Sequence, residues 1–135
     1  LETPSIIAVK GHGFDFKKHN KVVLTNSTLF ARDRHICAYC GNHFTSKYDL
    51  SRDHIVPRFH GGEDIWTNVV TACFSCNQKK GCKTLKQSGM ELRYVPYEPN
   101  HYESLILQNR HILADQMDYL ISGVPKHSRI LQKAA

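Results

Sequence analysis

The sequence predicts a small α+β chain built around a strand–loop–strand–helix unit clamped by a metal ion. Three observations lead there. Two Cys-x-x-Cys pairs, Cys37/Cys40 and Cys73/Cys76, stand 32 residues apart. Between them lie two short runs with β-branched residues, separated by Gly61-Gly62. A short polar stretch that ends at Gly81 follows the second pair directly.

The elements are expected in this order. Residues 1–24 carry Ile6-Ile7-Ala8-Val9 and Val22-Val23-Leu24 around a polar stretch and read as an extended arm or short hairpin. Thr25 has the hydroxyl of a helix N-cap, and a helix is expected over 26–34 with Leu29 and Phe30 on its buried side. Ile55-Val56 and the closing Pro57 predict a strand within Tyr48–Pro57. Gly61-Gly62 predicts a turn, and Trp66–Thr71 a returning strand. A helix is expected from about Ser75 to Gly81, where glycine suits a helix C-terminus. After the Pro-punctuated stretch Tyr94–Pro99, residues Tyr102, Leu105, Ile106, Ile112, Leu113, Met117, Leu120 and Ile121 follow helical spacing. The division expected is an arm over 1–24, a core domain over 25–99, and a helical extension over 100–135 packed on the domain or across a homodimer.

The chain has 135 residues, enough to bury a core without disulfides. Its five cysteines are an odd number, and Leu1–Lys10 has neither a basic leader nor a long apolar run. Both points argue against a secreted disulfide framework, and the cytoplasm is the expected compartment. A redox Cys-x-x-Cys would need one pair and leaves the second unexplained; two such knuckles suit a tetrahedral structural Zn²⁺ on Cys37, Cys40, Cys73 and Cys76. Cys82 is left as a spare thiol. No apolar run approaches the ~20 residues of a membrane span. A net charge of +6 favours an anionic partner, nucleic acid being the commonest. Lys79, Lys80, Lys83 and Lys86 form an acid-free run that, with Arg52 and Arg58, is expected to line a phosphate track. Lys10, Lys17, Lys18 and Lys21 form a second cluster. His35, His43 and His60 flank the central motif and are expected to be surface residues.

The middle of the chain reads Cys37-x-x-Cys40, Asp53-His54-Ile55-Val56-Pro57, Gly61-Gly62, Trp66-Thr67-Asn68, Cys73-x-x-Cys76-Asn77, Lys79-Lys80-Gly81. This order resembles the HNH endonucleases, the ββα-metal (His-Me finger) nucleases, in the subgroup with a four-cysteine zinc. The resemblance covers residues 25–81, and more loosely extends to about 99. It implies that His54 is the general base, that Asp53 and Asn77 hold a catalytic Mg²⁺ or Mn²⁺, and that Asn68 braces the loop between the strands. The chemistry agrees: an imidazole is largely unprotonated at neutral pH yet basic enough to take a proton. A carboxylate and a carboxamide leave a hard cation open to water and phosphate. Strand neighbours point to opposite faces, so Asp53 and His54 are expected at an irregular strand end, Asp53 toward the helix and His54 toward the phosphate. The implied substrate is DNA. A non-catalytic zinc module that binds nucleic acid, or an HNH nuclease acting on RNA or branched junctions, are the alternatives.

Overall fold

The computed structural model describes residues 21–108 and 114–131. The arm up to residue 20, with Lys10, Lys17 and Lys18, therefore lies outside the described residues, as do Ile112 and Leu113. Two compact units are present. One is Val23–Glu98; the other includes the described residues from Pro99 onward.

The first unit opens with helix α1, Asn26–Arg32. The Thr25 hydroxyl accepts from the Thr28 backbone N–H, and Thr28 returns the bond to the Thr25 N–H, so two otherwise orphaned donors are satisfied. Leu29 and Phe30 are buried as expected. The chain leaves α1 through Arg34 and His35, both in the left-handed region with φ of 55° and 57°. That conformation is uncommon for side-chain-bearing residues, and here it swings the backbone into the first cysteine knuckle. A 3-10 turn over Lys47–Asp49 then leads into the sheet.

The sheet is one antiparallel pair, β1 (Leu50–His54) with β2 (Val69–Cys73), registered Leu50 opposite Cys73 and His54 opposite Val69. Both strands differ from the expected limits. Asn68 causes the first difference: its side chain bonds the Val56 N–H and the Val56 carbonyl, replacing a partner strand and turning the chain into the loop. Trp66 causes the second. It lies in a turn rather than a strand, buried beneath the Arg32 guanidinium, 5.4 Å from the ring centre. Every residue of β2 is buried. Its outer edge is closed by α1 and the first knuckle: Arg32 Nη2 donates to the Val69 carbonyl, the Thr71 N–H donates to Asp33, and the Ala38 N–H donates to the Thr71 carbonyl. An edge strand closed in this way offers no row of free groups to another chain.

Helix α2, Phe74–Lys80, starts where β2 stops, with Cys73 as its N-cap and Gly81 after its last turn. A single further turn, α3 (Leu85–Ser88), is capped by Thr84 and Gln87. The succession strand, loop, strand, helix is the ββα arrangement, with one cysteine pair ahead of β1 and the other at the junction of β2 and α2.

In the second unit the single helical stripe expected after Pro99 is two helices among the described residues, α4 (His101–Gln108) and α5 (Ala114–Ser122). They pack on one another, with Tyr102 and Tyr119 in edge contact and Leu120 and Val124 buried. The periodic apolar positions thus serve, in part, a contact inside the chain. Glu103 is buried, accepts from Ser128, and pairs with Asn100 in a capping box. No helix among the described residues is long and apolar enough to cross a membrane.

Candidate active site

The four thiols of Cys37, Cys40, Cys73 and Cys76 converge, all sulfur atoms lying within 4.8 Å of one another. A tetrahedral ion bonded to sulfur at ~2.3 Å requires sulfurs about 3.8 Å apart, so this donor set fits such a centre. All five cysteines are free thiols. The first knuckle is folded by the Cys37 N–H on the Asn42 carbonyl and the Gly41 N–H on the Cys37 carbonyl, with Gly41 at φ 75°. Arg93 clasps it from outside, through its own N–H to Ala38 and its Nε to the Tyr39 carbonyl. Burial pushes the Cys37 thiol up, but backbone N–H bonds outweigh that and leave it at about 7. Burial raises Cys40 and Cys76. Thiols in so tight a group cannot all ionise without a cation, and a bound metal ion would supply that charge.

Asp53 and His54 are the last two residues of a regular strand, and alternation turns them to opposite faces. The strand end is regular where an irregular one was expected, so the backbone turns the His54 imidazole away from the face that carries Asp53. Asp53 is buried on the face covered by α2. It accepts a short hydrogen bond from the Tyr39 hydroxyl and lies 3.3 Å from the Lys80 ammonium. Burial, and then Asp53 itself, drive the Tyr39 phenol far above its usual range, so it stays a donor. Asn77 sits one turn before Lys80 on α2, and its amide donates to the Ser51 hydroxyl, two residues before Asp53 on the strand. Asp53 and Asn77 thus belong to the facing surfaces of β1 and α2, each with a partner of its own. Both carry the oxygen donors that a hard cation takes.

His54 lies on the other face. Its Nε2 is 3.0 Å from Asp64 Oδ1, and Asp64 Oδ2 accepts from Arg52 Nη1 at 2.6 Å. The His54 carbonyl accepts from Lys80 Nζ at 2.7 Å. Asn68 makes three side-chain bonds across the loop, to the Val56 N–H, the Val56 carbonyl and the Glu63 carbonyl. Its bracing geometry is therefore present.

The basic residues separate. Arg58, Lys79, Lys83 and Lys86 are exposed. Lys80 is not: it is fully buried and paired with Asp53, so it lies inside the unit and not along a surface track. Arg52 is held by Asn26 and Asp64. Among the histidines, His60 is exposed and bonds the Cys82 carbonyl, while His35 and His43 face each other with ring centres 6.5 Å apart.

Sequence reasoning missed Arg32, Asp33, Asp64 and Tyr39. Arg32 and Asp33 are fully buried, and a charged pair at the end of a helix carries no mark of that in its sequence. Asp64 had a weak signal, an acid in the loop that returns toward His54.

Comparison with curated proteins gives no match, and neither does comparison with solved structures. The family model described as HNH endonuclease matches residues 37–93, from the first cysteine to the arginine that clasps its knuckle. The matched segment, residues 37–93, also carries the four converging thiols and the ββα succession, and in both it is similar to the HNH endonucleases.

Proposed function

We propose that the chain is a metal-dependent endonuclease that hydrolyses phosphodiester bonds in DNA, with His54 as general base. The observation that carries this is the placement of His54 at the end of β1. Its imidazole is held by Asp64 through one nitrogen and is 18 % exposed, while the thiol cluster frames the same unit. The second nitrogen is left to accept a proton from water. Asp53 and Asn77 would hold Mg²⁺ or Mn²⁺, and that ion would polarise the phosphate and ease departure of the alkoxide. The Lys80 ammonium beside Asp53 offsets part of the carboxylate charge, so these residues would hold a cation weakly unless substrate phosphate shares it. Asn68 keeps the loop closed beside His54. The cysteines would hold Zn²⁺, which builds the scaffold and takes no part in the chemistry. Arg58, Lys79 and Lys83 are exposed and would track phosphates, with Arg52 adding positive charge beside His54.

Supercoiled plasmid incubated with Mg²⁺ or Mn²⁺ should be nicked or linearised. His54→Ala should lower the rate about 10²–10⁴-fold while zinc content and DNA affinity stay unchanged. Equal cleavage by the variant would remove His54 from the role. Salt-sensitive binding without scission under any divalent ion would instead identify a non-catalytic zinc module, and preferential cleavage of RNA or junctions would reassign the substrate.

A further inference from the structure

We infer that Asp64 is a positioning residue for His54, and that Arg52 and Asn26 hold Asp64 in place. This rests on the reading of His54 as general base. Arg52 and His54 are two residues apart on β1 and so share a face. Asp64 comes from the loop opposite and uses one oxygen for each, His54 Nε2 at 3.0 Å and Arg52 Nη1 at 2.6 Å. Arg52 is itself anchored, its Nε donating to Asn26 Oδ1 at 2.9 Å at the start of α1.

A carboxylate can only accept, so the proton of the neutral imidazole sits on Nε2. The lone pair is then on Nδ1, which has no hydrogen-bond partner among the described residues. That is the nitrogen free to take a proton from water. The loop that presents Asp64 is itself closed: Asn68 bonds the Glu63 carbonyl, one residue before Asp64, and both polar groups of Val56, two residues after His54. Base and orienting carboxylate are thus fixed from both ends of one loop. Arg52 gives two N–H groups to this bracket and works on Asp64 more than on phosphate.

The test uses the full-length zinc protein with ¹⁵N-labelled histidine. The His54 ring nitrogens, assigned by their absence in His54→Ala, are read at about pH 8, where an ordinary imidazole is neutral. The wild type should show a single tautomer protonated at Nε2, and Asp64→Ala should shift both ring nitrogens toward tautomer averaging. In plasmid cleavage, Asp64→Ala should lower kcat about 10–100-fold with KM changed less than about threefold, the range for loss of an orienting partner. Asp64→Glu should recover part of the rate. Unchanged ring-nitrogen shifts in Asp64→Ala, or a loss confined to KM, would overturn the assignment. Absence of wild-type cleavage on any nucleic acid would overturn the nuclease reading instead, and the tautomer comparison would still decide the Asp64–His54 pairing.

Discussion

Arg32 is the residue whose replacement tests the architecture most directly. Its guanidinium has five N–H donors, and each meets an acceptor: Nε and Nη2 grip the two oxygens of Asp33, Nη1 serves the Trp66 and Tyr97 carbonyls, and Nη2 also reaches Val69. The plane lies over Trp66 and Tyr97 as well. Arg32→Ala strips all five and leaves the Asp33 carboxylate buried with the Thr71 N–H. Removing one partner of a buried pair costs about 3–5 kcal/mol. Orphaned carbonyls add to it at ~1–3 kcal/mol each, less than additively. The sum rivals the whole stability of a small domain, about 5–15 kcal/mol. Arg32→Lys is therefore the informative change. It keeps the charge but has three donors and no planar fork, so about 2–4 kcal/mol should be lost. In zinc-saturated urea titrations, with a slope near ~1 kcal/mol/M, the midpoint should fall by roughly 2 M or more. A fall under about 0.5 M would refute the claim that this clamp joins α1, β2 and the segment at Tyr97.

Three other outcomes follow from the same structure. Cys76→Ser should abolish stoichiometric zinc by elemental analysis and unfold the 23–98 unit by circular dichroism, since structural zinc contributes ~10–16 kcal/mol in small peptides; acidification should release the ion because thiolates bind it. Gly62→Ala should cost about 1–3 kcal/mol in urea unfolding, because a Cβ there would lie 1.7 Å from the Val56 carbonyl oxygen, which is backbone and cannot rotate away. The Arg52 hydrogen bond holds Asp64 below the ordinary carboxylate value of 3.8. A depressed carboxylate stabilises above its unfolded pKa and loses that contribution as pH falls through the folded one. The small stability difference between wild type and Asp64→Asn should thus fade as pH falls below 3.8.

The four converging cysteines and the order of the central elements were legible because each has a local signal. Cysteine spacing is a geometric constraint, Thr25 is a cap, and Gly81 ends a helix. Strand limits were less legible, since Ile55-Val56 and Trp66 look like strand residues, and only the Asn68 side chain and Arg32 take them out of the pairing. The inner partners were illegible for a related reason. Lys80 belongs to a run that reads as solvated charge, and its burial depends on Asp53 arriving from a strand 27 residues earlier. Likewise Arg52 was read as a phosphate contact because its partners, Asn26 and Asp64, are remote in sequence. The helical stripe after Pro99 gave the periodicity of α4 and α5 but not that the two pack on one another.

Cys73 is at once the last residue of β2, the N-cap of α2 and one of the four thiols. This has a consequence for the order in which the chain folds. A metal shared by the two knuckles ties Cys40 to Cys73 and makes the intervening 32 residues a closed loop. The strands then meet inside a ring, and the chain-closure entropy, about 3 kcal/mol for a loop of that length, no longer falls on the two-stranded sheet. Zinc capture should precede strand pairing, and refolding should speed up with free zinc until the ion saturates the unfolded thiols. A hairpin too short to stand by itself would thus form on a template made by its own ends.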